Sequence, residues 1–335
     1  YNGTTYYLVS GHTNKNMNGP IKNKGYWYYV ENGLVVNKNT IVYFNGDWYY
    51  IHNGKLDKDY TGLVDYNGKT YYVVDGVVNH SCNGLTYING EWCYIVNGVL
   101  DTGYNNLILY NGTWYYVDHG KINWHYTNLV QYYGTWYYVE NGKINWNKNT
   151  LCQVNGHGTW YYVENGQINW HYQGLVYCNK EWYYIKNGVH QTNYSSLVLY
   201  NGTWYYVKNG KIDWCYTNLV QYHGTWYFVE NGKINWGKNT LSQVDGHGTW
   251  YYIENSQINW HYTGLTQYFG TWYYIQNGAL NWSYNGLVYY HGTWFYVHNG
   301  QIDWNYSNLV LYNGTWYYVE NGKIDWNKIT LSQVD

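Results

Sequence analysis

A segment of about 22 residues recurs along the whole chain, and this repetition limits the possible folds more than any other feature. The tryptophan of the string GTWYY, or the residue that replaces it, marks fifteen copies: Thr5, Trp27, Trp48, Thr70, Trp92, Trp114, Trp136, Trp160, Trp182, Trp204, Trp226, Trp250, Trp272, Trp294 and Trp316. Markers are 22 residues apart in most intervals, 21 apart once and 24 apart twice. A repeat of this length is one supersecondary unit that must stack on its neighbours to bury apolar surface.

The copies fall into two groups and also show a longer period. Residues 1–100 hold diverged copies that lack a second tryptophan, whereas residues 101–335 hold near-identical copies. The strings LCQVNGHGTW and LSQVDGHGTW, which contain the insertions, lie 90 residues apart, and a third begins in WNKITLSQVD. We therefore expect residues 1–335 to be a single repeat array, built partly from duplicated four-copy blocks, and to be a fragment of a longer protein.

Turn residues predict the structure of one copy. The string LVLYNGTWYYVKNGKIDW, from Leu197 to Trp214, contains two Asn-Gly pairs between runs of β-forming residues. Asn-Gly favours a type I′ turn, which needs positive φ at both central residues and joins antiparallel strands. Each copy is therefore predicted to form three short strands, and neighbouring copies must stack because a lone hairpin is marginally stable. The expected fold is all-β, a β-solenoid of stacked hairpins or three-stranded units.

Turn positions also predict which residues pair. Centring the two turns of one copy on Tyr133-Gly134 and Asn141-Gly142 gives the pairs Gln131–Trp136, Val130–Tyr137, Leu129–Tyr138, Tyr137–Trp146, Tyr138–Asn145, Val139–Ile144 and Glu140–Lys143. Alternation along a strand then predicts an apolar interior face of Val130, Tyr137, Val139, Ile144 and Trp146. The opposite face is predicted to be a partly exposed groove of Leu129, Gln131, Trp136, Tyr138, Glu140, Lys143 and Asn145.

Composition excludes several classes of partner. The chain is 23 % aromatic and 11 % charged, with 51 Tyr, 22 Trp, 5 Cys and a formal net charge of −2. Aliphatic residues are too sparse for a conventional core, so we expect aromatic rings to do most of the packing. The weak charge argues against nucleic acid, and no apolar run is long enough for membrane insertion. The cysteines occupy unmatched positions of the repeat, which predicts unpaired thiols and no metal site.

Tryptophans ten residues apart recur with tyrosines beside them, and they have two interpretations. They are either core residues or the walls of ligand-binding grooves. A ring beside Asn, Gln and Glu suits a sugar, which presents C–H groups to the ring face, and suits a quaternary ammonium through cation–π attraction. The candidate ligand-binding residues are Trp114, Tyr116, Trp124, Gln131, Trp136, Tyr138, Trp146, Trp160, Tyr162, Trp204, Tyr206, Trp214, Gln221, Trp226, Trp236, Trp316 and Tyr318.

The string GTWYYVENGKINW resembles the choline-binding and glucan-binding type of cell-wall-binding repeat of Gram-positive surface proteins. The resemblance covers nearly the whole chain and implies a solenoid of β-hairpins with ligands in clefts between consecutive hairpins. It implies a cleft of Trp136, Trp146 and Tyr162, which conflicts with the interior position predicted for Trp146. The family's closing Gly-Trp is Asn-Trp or Asp-Trp here, and a methionine that often lines a choline cage is missing, which favours glucan over choline. Copies without the second tryptophan are expected to bind poorly or only to pack: Trp27, Trp48 and Trp92.

The repetition itself argues against catalysis. A catalytic site needs one unique constellation, whereas every candidate group here recurs many times. We therefore expect no enzyme activity and no cofactor. The leading hypothesis is an extracellular, cell-wall-associated module that binds carbohydrate polymers, either glucan or a cell-wall glycopolymer, through many weak sites at once. Two alternatives are a stalk whose rings are purely structural and a choline-binding cell-wall anchor, and lateral self-association is a further hypothesis.

Overall fold

The computed structural model describes residues 3–156, 158–244 and 246–329; positions 330–335, where the third insertion continues, lie outside this range. The described residues confirm the all-β class, since they form 44 short strands and one 3₁₀ turn, Val154–Gly156. The chain divides into two compact units, Tyr1–Asn169 and Trp170–Asp335. Among the described residues there is no helix that could cross a membrane. Cys82, Cys93, Cys152 and Cys215 are free thiols, as predicted.

The first unit contains strands β1 to β23, which repeat a pattern of five, six and two residues. Their bounds are β1 Leu8–Val9, β2 His12–Thr13, β3 Gly19–Asn23, β4 Tyr26–Glu31, β5 Leu34–Val35, β6 Thr40–Phe44, β7 Asp47–His52, β8 Lys55–Leu56, β9 Gly62–Tyr66, β10 Lys69–Val74, β11 Val77–Val78, β12 Gly84–Ile88, β13 Glu91–Val96, β14 Val99–Leu100, β15 Asn106–Tyr110, β16 Thr113–Asp118, β17 Lys121–Ile122, β18 Asn128–Tyr132, β19 Thr135–Glu140, β20 Lys143–Ile144, β21 Thr150–Gln153, β22 Trp160–Glu164 and β23 Gln167–Ile168.

The second unit contains strands β24 to β44 in the same pattern. Their bounds are β24 Gly174–Cys178, β25 Glu181–Lys186, β26 Val189–His190, β27 Ser196–Tyr200, β28 Thr203–Lys208, β29 Lys211–Ile212, β30 Asn218–Tyr222, β31 Thr225–Glu230, β32 Lys233–Ile234, β33 Thr240–Val244, β34 His247–Glu254, β35 Gln257–Ile258, β36 Gly264–Tyr268, β37 Thr271–Gln276, β38 Ala279–Leu280, β39 Gly286–Tyr290, β40 Thr293–His298, β41 Gln301–Ile302, β42 Asn308–Tyr312, β43 Thr315–Glu320 and β44 Lys323–Ile324.

The pairing predicted for the copy at Trp136 is confirmed except at its end. The antiparallel ladder contains the predicted pairs Gln131–Trp136, Val130–Tyr137, Leu129–Tyr138, Val139–Ile144 and Glu140–Lys143. The predicted pair of Tyr137 with Trp146 is wrong, because β20 ends at Ile144. Tyr137 pairs instead with Gln167 of the next copy. Consecutive hairpins are therefore joined by backbone hydrogen bonds as well as by side chains, which accounts for the solenoid.

Both turns of this copy have the geometry that Asn-Gly predicts. Positive φ occurs at both central residues of each turn, 45° and 82° at Tyr133-Gly134 and 52° and 74° at Asn141-Gly142. The second turn also docks against the preceding copy. A Cβ atom on Gly142 would lie 2.7 Å from the carbonyl oxygen of Asn123, so glycine is required there by space as well as by φ.

Aliphatic side chains occupy the centre of the units, and the expectation that rings would do most of the packing is wrong. The largest side chains with less than 2 % exposure are all isoleucine or leucine, for example Leu107, Leu197 and Ile253. Rings surround these residues: Trp114 and Tyr137 lie against the cluster that contains Leu107 and Val139. A few aliphatic positions per copy are enough because stacking brings those of consecutive copies into one cluster, as with Leu107 and Val139.

The predicted division into an interior face and a groove face is wrong at three residues. Leu129 and Tyr138, predicted for the groove, are 2 % and 8 % exposed, because the next hairpin covers that face as well. Trp146, predicted inside, is 43 % exposed. The third strand ends two residues before Trp146, so its ring projects from the corner that leads to the next copy.

Candidate aromatic cages

A tyrosine and the closing tryptophan of the same copy form a right-angled pair. The rings of Tyr137 and Trp146 have centroids 5.8 Å apart and planes at 83°. The same arrangement recurs with interplanar angles of 72° to 90° in the pairs Tyr115–Trp124, Tyr205–Trp214, Tyr227–Trp236, Tyr251–Trp260, Tyr273–Trp282, Phe295–Trp304 and Tyr317–Trp326. Every tryptophan in these pairs is at least 42 % exposed. Each pair therefore sets an exposed indole at nearly a right angle to a half-buried ring.

For every one of these pairs except Tyr317–Trp326, the next hairpin places one residue opposite the first ring. We call the right-angled pair together with this opposite residue an aromatic cage. Opposite Tyr115 stands Lys143, whose Nζ lies 5.5 Å from the ring centroids of both Tyr115 and Trp124. The cage of Phe295 and Trp304 repeats this geometry with the ammonium of Lys323, at 5.5 and 5.6 Å. These distances are those of a cation–π interaction, so the cage has the dimensions of a cation site.

Other cages carry a neutral residue at the same position. Gln167 stands opposite Tyr137, Gln257 opposite Tyr227, Gln301 opposite Tyr273 and Ala279 opposite Tyr251. Lys233 stands opposite Tyr205. The cages consequently fall into a lysine-facing class and a neutral-facing class, which share the same rings and register.

The first tryptophan of each copy has a different environment from the closing one. Trp114 contacts Tyr132 of the next copy edge-on, with centroids 5.1 Å apart, and Trp204 contacts Tyr222 in the same way. Most of these tryptophans are half-buried, and the more exposed ones are Trp160 at 38 % and Trp316 at 46 %. Exposed glutamines lie across the strand from two of them, in the pairs Gln131–Trp136 and Gln221–Trp226.

The second tyrosine of a copy packs against the corner segment that leads to the next copy. Tyr116 packs on the corner residue Tyr126 with centroids 4.0 Å apart, and the Tyr126 hydroxyl donates to the carbonyl of Leu129 at 3.2 Å. Burial raises the pKa of Tyr126 to about 12. Tyr206 packs on Tyr216 in the same way. These tyrosines present little surface to a ligand.

Some corners carry a lysine in place of the tyrosine. The ammonium of Lys148 lies 5.1 Å from the ring of Tyr138 and 2.6 Å from the Glu140 carboxylate. Hydrogen bonds from Lys148 and Asn145 lower the pKa of Glu140. Tyr318 lies under Lys328 in an equivalent corner, with the ammonium 4.7 Å from the ring.

The structure thus assembles part of the predicted site. It brings the closing tryptophans Trp124, Trp146, Trp214 and Trp236 into cages, whereas Tyr138 and Tyr162 are only 8 % exposed. The ligand-binding role of the whole predicted set stays a prediction. Sequence reasoning missed the first tyrosine and the opposite residue. One sequence feature could have identified the opposite residue. The position directly after the second Asn-Gly turn is lysine in some copies and glutamine in others, whereas the residues around it hardly vary.

Thirteen segments of the chain match the family model described as the choline-binding repeat: residues 16–36, 37–57, 59–79, 103–123, 126–145, 147–169, 172–191, 193–213, 216–235, 244–259, 262–281, 283–303 and 305–325. The chain belongs to the choline-binding repeat family. Repeats of this family are cell-wall-binding modules of Gram-positive surface proteins, and proteins that carry them are associated with the cell surface or cell wall.

Comparison with solved structures found relatives of low identity. Choline binding protein F from Streptococcus pneumoniae, in the presence of a peptidoglycan analogue, is 21 % identical over 76 % of this chain and 95 % of its own, with a TM-score of 0.27. CbpJ from Streptococcus pneumoniae TIGR4 is 21 % identical over 86 % of this chain and 100 % of its own, with a TM-score of 0.25. The modular autolysin LytC from Streptococcus pneumoniae is 15 % identical over 67 % of this chain and 54 % of its own, with a TM-score of 0.26. No curated protein matched the chain.

Proposed function

We propose that this chain is a non-catalytic module of the bacterial cell surface that binds a choline-bearing cell-wall glycopolymer through its aromatic cages. The observation that carries the proposal is the lysine ammonium centred 5.5 Å from both rings of the Tyr115–Trp124 cage. That geometry is a cation held by two aromatic faces, and the trimethylammonium group of choline is a cation of the kind that such cages recognise. The cages with neutral opposite residues offer the same two rings without the internal ammonium.

The cages contain no methionine, but the side chains packed around them are also consistent with choline binding. Tyr115 packs against the buried cluster of Leu85, Val117 and Ile122, so apolar side chains lie beside the first ring of the cage. The expectation that glucan is favoured over choline rested on the missing methionine and the altered Gly-Trp, and it stays untested. Geometry favours choline because the closing tryptophans stand perpendicular to a second ring.

Repetition makes weak sites sufficient. A cation–π contact at an exposed site contributes about 0.5 to 1 kcal/mol per ring, so one cage alone would bind in the millimolar range or more weakly. A polymer that carries many choline groups engages several cages of one chain, and each engagement raises the effective concentration for the next. The same repetition supports the non-catalytic part of the proposal, because every candidate catalytic group recurs in several copies.

Retention on immobilised choline tests the proposal. We expect the chain to bind a choline column and to elute with free choline chloride. Replacing the tryptophans of three neutral-facing cages, Trp146→Ala, Trp236→Ala and Trp282→Ala, should abolish most of the retention. The control replaces the half-buried first tryptophans of the same copies, Trp136→Phe, Trp226→Phe and Trp272→Phe, and should retain binding. Failure of the unaltered chain to bind the column would contradict the proposal.

Glucan binding is a second candidate, supported by a different surface. Exposed glutamines lie across the strand from Trp136 and Trp226, which combines a ring face with a carboxamide, as sugar recognition requires. Retention on dextran, lost in the variant with Trp136→Ala and Trp226→Ala but kept when Trp146 and Trp236 are replaced, would support this candidate. If neither choline nor dextran retains the chain, the stalk interpretation is favoured.

A further inference from the structure

We propose that the residue opposite the tyrosine, supplied by the next hairpin, determines which aromatic cages accept an external quaternary ammonium. Lysine fills a cage with an ammonium of the chain itself, whereas glutamine or alanine leaves the cage open. This inference rests on the proposed function and deepens it, since it assigns different roles to cages that have the same rings.

The backbone delivers the opposite residue to the same place in every copy. Tyr115 pairs with Lys143 and Tyr137 pairs with Gln167 through the same antiparallel register. The side chain at this position therefore starts from an equivalent point beside the rings in both cages. A lysine reaches the space between the rings, and its charge repels a second cation there. A glutamine carries no charge, so the ring faces can still attract an external cation.

The acidic residues nearby support the distinction. Glu140 is the cross-strand partner of Lys143, yet its carboxylate is held by Lys148 at 2.6 Å and by Asn145 at 2.6 Å. The ammonium of Lys143 lies over the rings instead. Lysine in a cage is thus held by aromatic faces.

In two copies without a closing tryptophan, the equivalent lysine forms an ion pair with a glutamate. Lys121, opposite Cys93, forms an ion pair with Glu91 of the preceding hairpin at 2.5 Å. Lys211, opposite Tyr183, pairs with Glu181 in the same manner. Glu91 and Glu181 occupy a position that is threonine in the cages, as at Thr113. A carboxylate therefore takes part in holding the lysine in these two copies, although the Lys211 ammonium also lies 5.1 Å from the Tyr183 ring centroid. In a third copy without a closing tryptophan, Lys55 stands opposite Tyr28 and lies 5.4 Å from its ring centroid.

The two classes are ordered along the chain. Lys143, Lys233 and Lys323 are spaced by 90 residues, and neutral-facing cages lie between them. A lysine-facing cage therefore recurs once in each four-copy block, and the ammonium lies over both rings at Lys143 and Lys323. The open cages set which spacings of choline groups along a polymer the chain can engage, and the filled cages join adjacent hairpins by cation–π contacts.

Site-resolved titration tests the inference. The chain is labelled with 5-fluorotryptophan, its fluorine resonances are assigned by single Trp→Phe replacements, and it is titrated with choline chloride. The resonances of Trp146, Trp236 and Trp282 should shift, and those of Trp124 and Trp304 should not. Lys143→Gln should make Trp124 respond, with affinity at that cage at least about tenfold tighter. Gln167→Lys should abolish the response of Trp146.

Controls separate the effect of position from the effect of charge. Lys208→Gln removes one positive charge at an exposed turn and should leave Trp124 silent. Lys121→Gln, next to a copy without a closing tryptophan, should create no new responsive resonance. Equal shifts of lysine-facing and neutral-facing tryptophans would overturn the inference while leaving the proposed function standing. Silence of all closing tryptophans in every variant would overturn the proposed function and the inference with it.

Discussion

Copies before residue 100 and copies from Trp114 onward share one strand pattern but differ at the closing position, among others. In both groups one residue of the six-residue middle strand is fully buried, for example Val73 and Val139. This residue pairs with an aliphatic residue that follows the second turn. The closing position is tryptophan in most later copies but His80 or Thr102 in earlier ones. The earlier copies fold without the closing tryptophan, so folding does not require it. The comparison separates the residues that build the solenoid from those that build the cages.

The largest expected effect concerns a residue that both groups need. Gly120 has φ of 76°, and a Cβ atom there would lie 2.5 Å from the Asp101 carbonyl oxygen. Gly120→Ala should lower the free energy of local opening by about 3 kcal/mol, because left-handed strain and a backbone clash add. Hydrogen exchange of the amides in this copy measures that free energy. Gly112→Ala, where nothing lies within 4 Å of the added Cβ, should cost only the strain, about 1 to 2 kcal/mol.

The same substitution in an early copy tests the shared backbone. At Gly98 the added Cβ would lie 2.5 Å from the carbonyl oxygen of Asn79, as at Gly120. Gly98→Ala should therefore destabilise its copy as much as Gly120→Ala does. A loss at Gly98 no larger than that at Gly112 would show that the early copies stack differently.

Alkaline pH should weaken the tyrosine corners of both groups. Burial raises the pKa of Tyr104 and of Tyr126 from 10.0 to about 12. Between pH 10 and about pH 12, each of these tyrosines loses its proton in the unfolded chain but keeps it in the folded chain. The free energy of unfolding should therefore fall as pH rises above 10. Unfolding by urea at a series of pH values, monitored by circular dichroism, measures this slope. Tyr126→Phe should make the slope shallower, and an unchanged slope would contradict the burial account.

A cage built into an early copy is expected to have the smallest effect on stability and the clearest effect on binding. His80 is exposed at the closing position beside Tyr71, and the opposite residue is the uncharged Val99. His80→Trp should add one choline site, with a change in stability below about 0.5 kcal/mol because the site is at the surface. Binding is measured by fluorescence titration with choline chloride.

A matched substitution isolates the contribution of the first ring. Thr102→Trp combined with Lys121→Gln also places a tryptophan at a closing position and an uncharged residue opposite, but the ring partner is absent because Cys93 replaces the tyrosine. This variant should gain no site. Equal gains from both substitutions would mean that a lone exposed tryptophan is sufficient and that cages are not the binding unit.

The fold was largely predictable because its determinants are local. The Asn-Gly pairs set the turns, and the turns set the register of Val139 with Ile144 within a copy. The pairing of Tyr137 with Gln167 was not predictable from one copy, because it depends on how far the corner carries the chain before the next hairpin docks. The burial of Tyr138 and the exposure of Trp146 follow from that docking. The opposite residue of each cage was missed for the same reason, since it comes from the next copy.

A crystal structure of the chain with choline chloride would show whether the aromatic cages bind choline. We expect density for a trimethylammonium group within about 6 Å of the ring centroids of both Tyr137 and Trp146, the range of a cation–π contact. The equivalent open cages of the same chain should also be occupied. Choline bound only elsewhere, or open cages that stay without ligand at saturating choline, would contradict the assignment of the aromatic cages as the binding sites.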